Sequence, residues 1–171
     1  MKHYSEAELL AEVKRRLALP EQSCGCVVAR QDGMETDKML AARLRTWYAE
    51  MLRGAPAALL PVRDIKERLE PLGTGVFLLP DGVERIVSVR GKGWLRPVRR
   101  TVEFNCPEEL RSRFPGLEPT PEMPMLAREG RLIELRPEAE PAELLAVAPP
   151  EEGFEMNEGL FNYLDLNKLW E

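Results

Sequence analysis

The chain has 171 residues, of which 44% are hydrophobic and 31% are charged. This length suits one domain, and this composition is too apolar for a disordered chain. No apolar run reaches the roughly 18 residues of a membrane span, and no signal-peptide core follows Met1. We therefore expect a single folded domain over residues 1–171, located in the cytoplasm and without membrane contact.

The net charge of -5 is unevenly distributed along the chain. Residues 1–116 contain 20 Lys and Arg against 16 Asp and Glu, whereas residues 117–171 contain 4 against 13. A basic region and an acidic region attract each other, either within one subunit or between two subunits. The sequence leaves both arrangements open.

Residues 1–72 carry helical patterns. Ser5 and Glu8 have the spacing of a capping box, and the apolar period that follows predicts a first helix from Glu6 to Leu19. Residues 20–34 are interpreted as a loop or a brief strand.

Two more helices are predicted in this part of the chain. Apolar residues with helical spacing between Leu40 and Leu52 predict a second helix from Thr36 to Gly54. A short third helix is predicted from Val62 to Leu69, because Pro61 suits the start of a helix.

Residues 73–148 carry the pattern of β-strands. The segments 76–79 and 83–90 flank Pro80-Asp81-Gly82, which predicts a hairpin. Residues 94–104 predict a third strand, in which Pro97 favours an edge or a bulge.

The rest of the chain alternates between short elements. Residues 107–114 predict a helix, and further strands are predicted at 125–127, 131–135 and 144–147, with a turn at 129–130. Residues 149–171 predict an acidic loop and a terminal helix from Leu160 to Trp170. Together these patterns predict an α+β fold with N-terminal helices packed on a small, mostly antiparallel β-sheet.

The sequence offers few groups for catalysis or metal binding. Cys24, Cys26 and Cys106 are expected to be reduced thiols, because cytoplasmic proteins rarely form disulfides. His3 is the only histidine, so neither a zinc site nor a nucleophile with a histidine base is favoured. Asp64-Ile65-Lys66 has the spacing of many nuclease sites, but Asp81 follows it instead of preceding it. We predict no catalytic residue, metal or cofactor.

Residues 90–100 form the most unusual stretch, with five positive charges, no acid and one tryptophan. This basic segment can bind phosphates, with Trp94 as a stacking surface. Alternatively, its arginines pair with the acidic region while Trp94 and Val98 pack inward, which we prefer for an acidic protein. The candidate contact residues are Arg90, Lys92, Trp94, Arg96, Arg99 and Arg100.

Two passages together resemble the strand layout of tailed-phage neck proteins, the connectors or adaptors that form rings between portal and tail. The first is Leu79-Pro-Asp-Gly-Val-Glu-Arg-Ile-Val-Ser-Val89, followed by the strand at Trp94. The second is Arg128-Glu-Gly-Arg-Leu-Ile-Glu-Leu-Arg-Pro137, leading through Leu144-Leu-Ala-Val-Ala-Pro149. Such proteins usually continue into a long C-terminal helix, for which only residues 160–170 are available here.

The resemblance implies a non-enzymatic structural or assembly protein, such as a prophage connector component associated with the virion. Its partners would be proteins, including further copies of itself that meet through basic and acidic regions. The second hypothesis is a nucleic-acid-associated module that uses residues 90–100. The third is an enzyme of unknown activity.

Overall fold

A computed structural model describes residues 1–16 and 27–164, with the backbone alone described for residues 27–36. The α+β class is confirmed, since the chain forms helices, mostly in its N-terminal part, and mostly antiparallel strands. The described residues form two compact units, unit 1 within Met1–Pro61 and Pro149–Glu171, and unit 2 over Val62–Ala148. The single domain over residues 1–171 stays a prediction. No described helix is both long enough and apolar enough to cross a membrane.

The first helix of unit 1 begins where the capping box of Ser5 and Glu8 predicts. Helix α1 (Glu6–Arg16) follows Ser5, whose backbone N–H donates to Glu8 Oε2 at 2.8 Å, and the Glu8 N–H donates to Ser5 Oγ at 3.3 Å. These two bonds satisfy N–H groups that a helix start leaves free. The predicted helix end at Leu19 lies outside the described residues.

Helix α2 (Val27–Gly54) confirms the second predicted helix but begins at Val27 instead of Thr36. The prediction of a loop or strand over residues 27–34 is therefore wrong, and residues 20–26 lie outside the described part. Residues 20–34 include Asp32-Gly33, a pair that is common in turns, but one glycine inside a helix costs only about 1 kcal/mol. A helix can therefore continue through it.

A two-stranded sheet joins the two chain segments of unit 1. Strand β1 (Lys2–Tyr4) pairs antiparallel with strand β10 (Phe154–Met156), and neither strand was predicted. The acidic loop predicted there is therefore partly wrong. The predicted terminal helix is a 3-10 helix over Glu158–Tyr163, and residues 165–171 lie outside the described part.

Unit 2 contains two sheets. The first has the order β2 (Val62–Asp64), β9 (Pro141–Val147), β5 (Arg85–Gly91), and all its pairs are antiparallel. The second has the order β3 (Glu70–Gly73), β4 (Val76–Leu78), β8 (Leu132–Arg136), β7 (Met125–Glu129), β6 (Thr101–Glu103), and only β6 and β7 run parallel. Helix α3 (Pro107–Arg111) follows β6.

Both sheets of unit 2 contribute side chains to one hydrophobic core. Val89 and Leu144 come from the first sheet, while Phe77, Leu126 and Ile133 come from the second. All five side chains are buried. The alternating apolar residues of these strands thus cover each other, as two facing sheets require.

The hairpin predicted around residues 80–82 is wrong, although the turn exists and Gly82 has a φ of 80°. Strand β4 pairs with β3 and β8, whereas β5 pairs with β9. The turn therefore carries the chain from one sheet to the other. Turn residues fix the local reversal but do not decide which strands pair.

The predicted third helix, Val62 to Leu69, is also wrong. Its residues form β2 and a single 3-10 turn over Lys66–Arg68. Asp64 Oδ1 accepts hydrogen bonds from the N–H groups of Lys66 and Leu144, both at 3.1 Å. Ile65, at 1% exposure, belongs to the core. Pairing with β9 thus outweighs the weak local preference for a helix.

The third predicted strand, residues 94–104, is much shorter than expected. Val98 exchanges two backbone hydrogen bonds of 2.8 Å with Val89, and regular pairing resumes only in β6. The short helix after residue 106, the hairpin of β7 and β8, and the strand at 144–147 are confirmed.

Gly91 provides a test of core packing in unit 2. A Cβ atom at this position would lie 2.7 Å from both Ala139 Cβ and Trp94 Cε2. We expect Gly91→Ala to lower the free energy of unfolding by about 1–3 kcal/mol, because the crowded atoms must move. Urea denaturation measures this change.

The matched control is Gly73→Ala, since a Cβ atom there meets nothing within 4 Å and Gly73 has no positive φ. Its effect should stay within about 0.5 kcal/mol. Equal losses in the two variants would contradict the packing described around Trp94.

Candidate functional site

The basic segment, residues 90–100, connects β5 to β6 and divides its side chains between core and surface. Trp94 is 3% exposed, and its Nε1–H donates to the Pro137 carbonyl oxygen at 3.2 Å. Val98 packs against the same core. The predicted inward packing of these two side chains is confirmed. Burial of the indole argues against Trp94 as a stacking surface for bases.

The charged side chains of the basic segment are exposed. Lys92 Nζ lies 2.5 Å from Glu140 Oε2, and Arg100 Nη2 lies 3.1 Å from Glu108 Oε2. Of these two acids, only Glu140 belongs to the acidic region. The side chains of Arg90, Arg96 and Arg99 form no hydrogen bond or ion pair with any described residue. Their guanidinium groups remain accessible to a ligand.

Beside this segment lies an open groove with a volume of about 1270 Å³. Its three sides are residues 96–102, helix α3 and the proline-rich loop 115–124. The backbone N–H of Leu95 donates to the Pro121 carbonyl oxygen at 2.9 Å, which joins the basic segment to this loop. The residues that line the groove include Arg96, Arg99, Arg100, Val102, Glu108, Arg111, Leu117, Glu118 and Met123.

The groove combines positive charge with exposed apolar side chains. Arg96, Arg99 and Arg111 line it without an ion pair to any described residue. Leu117 and Met123 line it with 63% and 67% of their surface exposed. Large exposed apolar side chains grouped on a polar surface are typical of interaction sites. The sequence predicted the arginines at positions 96, 99 and 100 but not the apolar residues.

Helix α3 is held in place by Glu109, which is 0% exposed. Its carboxylate accepts hydrogen bonds from the backbone N–H of Asn105 at 3.1 Å, from Arg113 Nε at 2.8 Å, and from Arg136 Nη1 at 2.7 Å. Arg136 also binds Glu134 through two hydrogen bonds, of 2.7 and 2.8 Å. Glu109 therefore connects α3 to strand β8.

The protonation of Glu109 reflects two opposing effects. Burial raises the pKa of its carboxyl group, but the hydrogen bonds from Arg113, Arg136 and Asn105 together outweigh burial. The net pKa lies below the ordinary value of 4.5, so the group is ionised at neutral pH. The helix predicted over residues 107–114 includes Glu109, but the sequence did not predict that this side chain is buried. The available signal was Arg113, four residues further along.

Two other residues of unit 2 that the sequence raised as candidates, Cys106 and Asp64, bind backbone N–H groups. The half-buried Cys106 caps α3, where its Sγ accepts from the Glu109 N–H at 3.4 Å. Among residues 1–16 and 27–164, no group of three His, Cys, Asp or Glu side chains is placed to hold a metal ion.

A second depression, of about 560 Å³, lies at the edge strand β6 between Glu103, Phe104 and Arg128. Burial lowers the pKa of Arg128. This depression contains neither the basic segment nor an exposed apolar cluster, so the groove is the stronger candidate.

Comparison with known proteins gives no assignment, because no family model, curated protein or solved structure matches the chain.

Removing the charge of Glu109 tests how α3 is held. We expect Glu109→Gln to lower the free energy of unfolding by about 2–3 kcal/mol at pH 7, because charged hydrogen bonds to two arginines are lost. Glu108→Gln is the control, since its carboxylate pairs with Arg100 at an exposed site. Such a pair contributes about 1 kcal/mol or less. Urea denaturation that shows equal effects would contradict this role of Glu109.

The effect of Glu109→Gln on the free energy of unfolding should depend on pH. Because the pKa of Glu109 is lower in the folded chain, its stabilisation is complete above the unfolded pKa of 4.5. It is lost as the pH falls through the folded pKa. The difference in unfolding free energy between the natural chain and Glu109→Gln should therefore shrink below about pH 4.5. A difference that grows on acidification would show that the folded pKa is raised.

Proposed function

We propose that this chain is a non-enzymatic assembly protein that binds another protein through the groove of unit 2. The observation that carries this proposal is the position of Leu117 and Met123 beside three arginines without described partners. Arginine and methionine are enriched in protein interfaces, and an apolar centre with a polar rim is their usual arrangement. The groove supplies both kinds of surface.

The assembly that best accommodates this proposal is a head-to-tail connector of a prophage, the class that the sequence resembles. Two N-terminal helices precede strands that include β5, β7, β8 and β9, where the resembling passages fall. In this proposal the groove binds a neighbouring protein of the virion. The groove residues Arg96, Arg99 and Arg100 are the contact residues.

Nucleic-acid binding is the second candidate function, and the accessible side chains of Arg90, Arg96 and Arg99 favour it. Two observations weigh against it. Trp94 is buried, and the residues that line the groove include no aromatic side chain. Single-stranded nucleic acids are usually held by base stacking as well as by phosphate contacts. Protein binding therefore has the stronger support.

Site-specific photocrosslinking tests the proposal. A benzophenone amino acid replaces Leu117 or Met123 in cells that produce the protein, and crosslinked products are identified by mass spectrometry. We expect both positions to give a crosslink to the same polypeptide, and for a connector this is a portal protein, a tail protein or a further copy of this chain.

The matched control is the same substitution at Leu72, an apolar residue of β3 that is 55% exposed and does not line the groove. It should not give that product. Crosslinks to nucleic acid alone, or equal yields at all three positions, would contradict a protein-binding groove. A polypeptide that is neither a portal protein, a tail protein nor a further copy of this chain would exclude the connector role and retain protein binding.

A further inference from the structure

The groove also indicates what kind of protein segment it binds. Arg96, Arg99 and Arg111 present guanidinium groups that lack described partners. A guanidinium group is a planar fork of N–H donors that matches a carboxylate with two parallel hydrogen bonds. Anionic groups at separate positions along a ligand would therefore satisfy these arginines.

The apolar part of the groove favours a ligand that carries apolar groups as well as charge. Leu117 and Met123 line the groove and expose 63% and 67% of their surface. Covering such surface with apolar atoms contributes roughly 25 cal/mol per Å² removed from water. The ligand that fits best carries apolar side chains between its acids.

The acids in the groove distinguish a peptide from a phosphate chain. Glu108 and Glu118 line the groove together with the arginines, and Glu108 already neutralises Arg100. A nucleic acid places a charge on every phosphate and would bring some of them close to these carboxylates. A peptide can place a neutral residue at those positions, which avoids the repulsion.

We propose that the groove binds a segment of its partner in which acidic residues alternate with large apolar residues. This proposal rests on the protein-binding function above and names the chemistry of the partner. Arg96 and Arg99 bind the carboxylates, while Leu117 and Met123 contact the apolar side chains. Specificity then requires both features of the segment.

A binding titration with the full chain tests this proposal. The probe is the fluorescein-labelled peptide Glu-Leu-Glu-Pro-Leu-Glu, in which proline prevents β-aggregation. One matched peptide carries Gln for each Glu, and another carries Ser for each Leu. Fluorescence anisotropy should show saturable binding of the first peptide. The affinity for each matched peptide should be lower by about tenfold or more.

Charge-reversed variants locate the binding site on the protein. Arg96→Glu combined with Arg99→Glu should weaken binding of the Glu-Leu peptide by about tenfold or more. Arg68→Glu is the control, because Arg68 is an exposed residue of the 3-10 turn after β2, its side chain has no described partner, and it does not line the groove. It should leave affinity within about twofold, since only the weak long-range field changes. Urea denaturation of each variant verifies that it is folded.

Four results would overturn the proposal. The first is equal binding of the Gln or Ser peptide, and the second is equal loss of affinity in Arg68→Glu. The third is tighter binding of oligothymidylate, with a steep loss of affinity between about 50 mM and 200 mM salt, which indicates phosphate contacts. The fourth is that no peptide binds; if Leu117 still crosslinks to a protein, the acidic motif is then wrong and the assembly function stands. If both experiments fail, neither stands.

Discussion

A carboxylate without solvent contact needs donors, and Glu109 obtains them from Arg113, Arg136 and the backbone of Asn105. Because Arg136 belongs to β8, this interaction attaches the short helix α3 to the five-stranded sheet. A helix this short has little stability of its own. The groove wall that α3 forms therefore depends on the buried carboxylate of Glu109, and loss of Arg136 would remove one of the two arginines that compensate its charge.

The side of the groove that residues 96–102 form is held in place by the hydrophobic core of unit 2. Trp94 and Val98 are held inside unit 2, and this fixes the backbone between and after them. Arg96 lies between these two residues and Arg99 follows Val98, so both arginines are directed to the surface. These arginines of the groove therefore lie on an anchored segment. This segment loses less conformational entropy on binding than a free loop would. Such preorganisation suits a surface that holds another protein.

Local signals predicted much of the fold, and nonlocal pairings account for the errors. The capping box at Ser5, the second helix and the β7–β8 hairpin depend on neighbouring residues, so the sequence indicated them. The β1–β10 pair joins the two chain segments of unit 1, which are far apart in sequence, and no local pattern reveals such a partner. Likewise, the arginines of the groove were predicted from their clustering. Leu117 and Met123 were missed because exposure of an apolar residue depends on the tertiary structure.

The central claim is that the groove of unit 2 holds a protein segment. Hydrogen exchange, measured on the full chain alone and with the protein captured by crosslinking, tests this claim most directly. We predict slower exchange of backbone amides in residues 95–100 and 116–123, because a bound segment covers the two sides of the groove that these stretches form. Unchanged exchange in these two stretches, with protection elsewhere in the chain, would contradict the claim.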